Sequence, residues 1–118
     1  MKKRRVVAVC CNNLVRSKLF EKYLLKNKQI IAASCGVGFL SYIFGRHFDD
    51  SFRDYDIYFA IDTGVYKKLL KLGISKDKII NLHIPNIYFY FIGFEIFGFH
   101  PLSELRRRIP DIMRIYGY

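Results

Sequence analysis

The chain has 118 residues, of which 52% are apolar, with 20 basic against 10 acidic side chains and a formal net charge of +10. That length fits one domain over residues 1–118, and the apolar share is enough for a buried core, which excludes wholesale disorder. The apolar residues come in short runs broken by charge, none near the roughly 20 that a membrane-spanning helix needs.

The basic start, Met1 to Arg5, is followed only by the short apolar run Val6 to Cys11. That run is too short for the core of a signal peptide, so a cytoplasmic location with no membrane partner is expected. Val6-Val7-Ala8-Val9-Cys10 is continuous and β-branched, the pattern of a buried parallel strand. A polar turn, Cys11 to Arg16, follows, with Ser17 placed to cap the next segment. From Lys18 to Lys28, Leu19, Phe20, Tyr23 and Leu24 recur at helical spacing. Ile30 to Ala33 reads as a second strand. The opening is therefore β-loop-α-β, the unit of a parallel sheet with right-handed crossovers.

Ser34 to Arg53 is broken by Gly36, Gly38 and Gly45, with a short helix expected over Phe39 to Phe44. Ile57 to Ile61 is a third strand, ending at Asp62. Val65, Leu69 and Leu72 mark a helix that Gly73 stops. Lys78 to Leu82 is a fourth strand. Ile87 to Phe99 is crowded with aromatics. A last helix starts at Pro101 or Ser103, and Pro110 is expected to kink or divide it. Alternating strands and helices predict a three-layer α/β domain, whose ligands bind beyond the carboxyl ends of the strands.

Three cysteines, Cys10, Cys11 and Cys35, two of them adjacent, do not make a disulfide framework. No C-x-x-C spacing exists and His47, His83 and His100 are scattered, so no zinc site is expected. The excess positive charge favours anionic partners, but no nucleic-acid motif accompanies it. What stands out is Cys10-Cys11-Asn12-Asn13-Leu14-Val15-Arg16-Ser17. A cysteine at a strand end and an arginine six residues later bracket a loop that enters a helix. Backbone N–H groups in such a loop converge on one point, the helix dipole adds positive charge, and an oxyanion such as inorganic phosphate fits there. The same field favours an anionic, nucleophilic sulfur at Cys10. The planar guanidinium of Arg16 can hold two phosphoryl oxygens at once.

Val9 to Ser17 resembles the signature V-C-x-x-N-x-x-R-S of the low-molecular-weight protein tyrosine phosphatases. The resemblance implies that Cys10 is the nucleophile that becomes phosphocysteine. Asn13 braces the loop, Arg16 binds the phosphoryl group and Ser17 assists the sulfur. The other loop members, Cys11, Asn12, Leu14 and Val15, would line the phosphate. Ser34-Cys35-Gly36 is similar to the family's S-A-G, and Asp54 to Asp62 to its third-strand segment F-D-L-I-L-V-M-D. The implied fold is a four-stranded parallel sheet in flavodoxin-like order, flanked by helices. The implied activity is hydrolysis of phosphotyrosine or a small aryl phosphate, as in a phosphorylated protein, without metal or cofactor. The chain is shorter than usual members between Gly36 and Asp54, a region that shapes the family's substrate cleft.

The family's general acid is an aspartate in a D-P motif after the fourth strand. Here Ile84-Pro85-Asn86-Ile87-Tyr88 stands in that place, with Asn86 where the aspartate is expected. An amide supplies no proton near neutral pH, so three readings stay open. The chain is a slow enzyme, or a phosphate- or phosphoprotein-binding module, or an enzyme with another acid, such as Glu95 or Asp49-Asp50. Cys11 reads as a packed residue rather than a redox partner, since adjacent cysteines bridge only with strain. Without a cysteine after Cys35, arsenate reduction is not expected. The aromatics beginning at Tyr88 and Phe89 read as core and cleft wall, or as a patch that makes a homodimer.

Overall fold

The computed structural model describes residues 3–11, 16–38, 43, 46–84 and 101–118. Four strands, β1 (Arg4–Cys10), β2 (Ile30–Gly36), β3 (Ile57–Ala60) and β4 (Ile79–Asn81), pair in parallel in the order β2-β1-β3-β4. This is the expected four-stranded parallel sheet with flavodoxin-like order. Among the described residues, three α-helices flank it: α1 (Arg16–Leu24), α2 (Thr63–Lys71) and α3 (Pro101–Arg114). Short 3-10 turns at Asp50–Phe52 and Lys76–Lys78 lead into β3 and β4.

Strand β1 is central, and its residues Val6 to Cys10 are buried on both sides. Because successive side chains in a strand point to opposite faces, Val6, Ala8 and Cys10 join one core and Val7 and Val9 the other. The first core holds Phe20 and Leu24 of α1, Phe59 of β3, and Ile109 and Met113 of α3. The second holds Val65 and Leu69 of α2, Tyr58 of β3, and Phe48, Phe52 and Tyr55 from the segment between β2 and β3. Tyr58 is fully buried, and its hydroxyl donates to the carbonyl of Phe52 while accepting from the amide of Tyr55. This satisfies a polar group that would otherwise cost stability inside the core.

Helix α2 is bounded as its sequence indicates. Asp62 is its N-cap, accepting from the amide of Val65 at 2.9 Å. Gly73 takes φ +91°, a conformation that suits glycine, and the amides of Gly73 and Ile74 close the helix on the carbonyls of Leu70 and Leu69.

Three expectations change. Ser17 is not a cap: α1 starts at Arg16, and Ser17 is a fully buried residue of its first turn. Strand β2 runs past Ala33 to Gly36, because Ser34, Cys35 and Gly36 pair with Ala8, Val9 and Cys10. Pro110 does not divide the last helix, which is continuous from Pro101 to Arg114. The carbonyl it leaves without an amide belongs to Arg106, an exposed residue open to solvent. The short helix expected over Phe39 to Phe44 and the aromatic run Ile87 to Phe99 lie outside the described residues, Ile43 apart.

Truncating Phe59, buried in the heart of the first core, should lower unfolding stability by about 3–5 kcal/mol in Phe59→Ala. Asp62→Ala, which removes a cap, should cost about 1 kcal/mol. Urea unfolding of the two variants checks the order.

Candidate active site

Parallel pairing places the carboxyl ends of all four strands at one edge of the sheet, and β1 ends there at Cys10. The Cys10 side chain is 2% exposed and faces the core shared with α1. Its sulfur lies 3.0 Å from the Ser17 hydroxyl, a buried contact between the end of β1 and the first turn of α1. If the sulfur is anionic, the hydroxyl must be the donor, and a hydrogen bond to an ionised acceptor is stronger than one between neutral groups. Arg16 opens α1, so the residue expected to hold a phosphoryl group stands at the positive end of a helix dipole. Asn12, Asn13, Leu14 and Val15, the expected acid position Asn86, and Tyr88 and Phe89 of the expected cleft lie outside the described residues, as does Glu95.

Beyond β2 the backbone follows the end of β1. The amide of Val37 donates to the Cys10 carbonyl at 3.0 Å and that of Gly38 to the Cys11 carbonyl at 2.6 Å. Gly36 also bridges to His47, through the amide of Gly36 to the Arg46 carbonyl and the amide of Phe48 to the Gly36 carbonyl, both at 2.8 Å. The backbone of Cys10 and Cys11 is thereby fixed from the side of β2.

One polar group behind the site was missed from sequence. The hydroxyl of buried Ser34 donates to Glu21 Oε1 at 3.2 Å, and Arg46 Nη1 is 3.8 Å from Glu21 Oε2. Glu21 links α1 to β2 and to the segment before Phe48. In sequence it reads as an ordinary exposed charge between Lys18 and Lys22. The available signal is spacing: it is four residues after Ser17 and so on the same, inward face of α1.

The aspartates at 49 and 50 do not suit the role of replacement acid. Hydrogen bonds from the hydroxyl and amide of Ser51 hold Asp49 below the usual carboxylate range, so it carries no proton near neutrality. Asp50 is ion-paired with Arg53 at 2.8 Å. Both are flanked by Phe48 and Phe52, which bury on the α2 side of the sheet, opposite Cys10. Asp111 pairs with Arg114 at 3.4 Å on exposed surface.

Cys35, opposite Val9 in register, points into the α2 core and is fully buried. Burial pushes its thiol up, and the neighbouring sulfur of Cys10 adds to the effect. Cys11 is half-buried, and all three cysteines are free. Among the described residues no group of histidine, cysteine or carboxylate side chains could hold a metal ion.

The fold is that of the low-molecular-weight protein tyrosine phosphatases. The protein tyrosine phosphatase of Entamoeba histolytica, solved with Hepes in its active site, superposes with a TM-score of 0.69 at 20% identity, covering 96% of each chain. Wzb of Vibrio vulnificus, solved with benzylphosphonate, gives 0.74 at 15% identity, over 98% of this chain and 97% of that one. The low-molecular-weight protein tyrosine phosphatase of Streptococcus pyogenes gives 0.66 at 16% identity, over 92% and 89%. No family model matches the sequence, and no curated protein matches it either.

The raised thiol of Cys35 has a consequence for stability. Once pH passes the ordinary thiol range, about 8.5, the unfolded chain gives up a proton at Cys35 that the folded chain keeps. Stability contributed there is intact below that pH and falls as pH rises above it. Urea unfolding at neutral and alkaline pH should show this decline, and Cys35→Ala should flatten it.

Proposed function

We propose that this chain is a phosphomonoesterase, a divergent relative of the low-molecular-weight protein tyrosine phosphatases, that hydrolyses phosphotyrosine or a comparable aryl phosphate through a phosphocysteine at Cys10. The observation that carries this reading is the 3.0 Å contact of the Cys10 sulfur with the Ser17 hydroxyl, at the buried junction of β1 and α1. The fold shared with tyrosine phosphatases, one of them solved with a phosphonate bound, supports an oxyanion in the loop.

The chemistry follows from the groups present. The Cys10 thiolate attacks phosphorus, and the S–P bond forms as the P–O ester bond breaks. The guanidinium of Arg16 holds two of the phosphoryl oxygens, and the loop amides from Cys11 to Val15 hold the rest. The Ser17 hydroxyl donates to sulfur, which steadies it first as nucleophile and then as leaving group. Water then attacks phosphorus, the S–P bond breaks, and phosphate departs while the thiolate is restored. Tyr88 and Phe89 would hold the aromatic ring. The leaving phenolate needs a proton that Asn86 cannot give, and such a loss typically lowers the rate about 10²–10⁴-fold. That substitution also favours a second reading, a phosphate- or phosphoprotein-binding module on the same fold. A cytosolic setting, in which thiols stay reduced, suits either reading.

Hydrolysis of p-nitrophenyl phosphate by the reduced protein tests the proposal, since this leaving group departs with little help. Activity should be present, vanish in Cys10→Ser and fall about 10–100-fold in Ser17→Ala, which removes a hydrogen bond to a charged sulfur. Asn86→Asp should raise turnover of phosphotyrosine more than that of the nitrophenyl ester. No activity above Cys10→Ser, in a protein that still binds phosphate or vanadate, would overturn the enzyme and leave the binding module.

A further inference from the structure

At the edge of the sheet opposite Cys10, the parallel topology collects the starts of the four strands together with the ends of the helices. The start of β1 and the turn after α3 are tied there by Arg4 Nη1, which donates to the Tyr118 hydroxyl at 2.9 Å. The end of α1 joins them through the Tyr23 hydroxyl, which donates to the Tyr118 carbonyl at 3.0 Å. A shallow cavity of about 180 Å³ lies between Lys26, Asn27 and Tyr118.

Two kinds of side chain gather at this pole. The first is apolar. Six large apolar residues, Leu25, Ile31, Ile43, Leu70, Ile115 and Tyr116, are exposed among the described residues, and all but Ile43 stand here. Leu25 (58% exposed) follows α1, Ile31 is the second residue of β2, Leu70 lies in the last turn of α2, and Ile115 (79% exposed) and Tyr116 follow α3, the Tyr116 ring packed on Phe59. The second kind is cationic: Lys3, Lys26 and Lys28, and Lys71, Lys76 and Lys78, all exposed. Three arginines of the pole already have carboxylates, Arg5 with Asp54, Arg53 with Asp50 and Arg114 with Asp111, while Arg4 bonds the Tyr118 hydroxyl. Asp56 accepts from the amide of Arg5. Asp77 stands between two of the lysines, and none of the six lysines forms an ion pair among the described residues. Among the described residues, the positive charge of the pole outside ion pairs is therefore that of the lysines and Arg4, with Lys3 and Arg4 lining one cavity beside Asp54 and Asp56.

We propose that this pole is a docking surface for an anionic lipid bilayer, with the lysines at the headgroups and Leu25 and Ile115 entering the interface. This replaces the expectation of no membrane partner and does not depend on the phosphatase reading. Among the described residues no helix is long and apolar enough to cross a membrane, so the contact is peripheral. Lysine heads reach headgroups while their stems lie along apolar surface, and aliphatic or aromatic neighbours add area that water would otherwise cover. A second copy of the chain would set lysine against lysine. A nucleic acid has no use for exposed Leu25 and Ile115. Docked this way, the chain holds Cys10 at the end turned away from the bilayer.

Co-sedimentation with vesicles of phosphatidylcholine alone, and with about a third phosphatidylserine, tests this on the full chain. Binding should require phosphatidylserine and fall as salt is raised. Each of Lys26→Gln, Lys28→Gln, Lys76→Gln and Lys78→Gln should weaken it about fivefold, and Ile115→Ser about tenfold, with urea midpoints unchanged. No pelleting with phosphatidylserine at low salt, or equal pelleting with phosphatidylcholine alone, would overturn the proposal. So would duplex DNA binding tighter than the vesicles with the same lysine dependence, or a dimer that Ile115→Ser dissociates.

Discussion

The structure depends on the register of β1. It is a strand covered on both sides, with Val6, Ala8 and Cys10 committed to the α1 and α3 core and Val7 and Val9 to the α2 core. A slip of one residue would exchange every one of these side chains between faces. Each face therefore holds the other in place, and the last residue of the strand inherits that certainty. Cys10 meets Ser17 because α1 packs Phe20 and Leu24 on the same face that receives Val6 and Ala8. The site is the final step of a packing arrangement rather than a feature placed upon it.

The elements readable in the sequence are those whose local signals agree with their surroundings. The β-branched run before Cys10 carries its own evidence of burial. Helix α2 has apolar residues at the right spacing and a glycine at its end, and both serve as expected. The misread positions are those where a tertiary partner overrides a local preference. Ser34 and Gly36 are weak strand formers, yet they extend β2 because β1 supplies the pairing and Glu21 accepts from the serine hydroxyl. Ser17 looks like a cap because serine is a good one. Its hydroxyl instead turns inward to the Cys10 sulfur, the contact that the motif, and not the capping preference, anticipates. Cys10 and Ser17 belong to one motif legible in the sequence, whereas the Glu21 contacts behind them needed the third dimension.

The two buried cysteines show how position decides chemistry. Cys10 and Cys35 lie on adjacent strands, one residue out of register, and so face opposite sides of the sheet. Cys10 ends its strand beside a hydroxyl at the start of a helix. Cys35 sits among aliphatic and aromatic side chains that disfavour its anion, and its thiol is raised accordingly. Reactivity requires the thiolate, so the same side chain is a nucleophile candidate in one place and a small apolar filler in the other.

The parallel sheet also sorts charge. Helices that return antiparallel to the strands present their amino ends at the edge where Cys10 lies and their carboxyl ends at the other. At the first edge the amino end of α1 favours negative charge through its helix dipole. At the second, Lys22, Lys71 and Arg114 occupy the last turns of the three helices, where a positive side chain is favoured by the dipole. Much of the chain's excess charge thus lies away from the candidate site. It is surface charge, open to water and screened by ions. One topology thus separates the amino end of α1, which favours a single negative group beside Cys10, from a lysine-bearing surface at the opposite end.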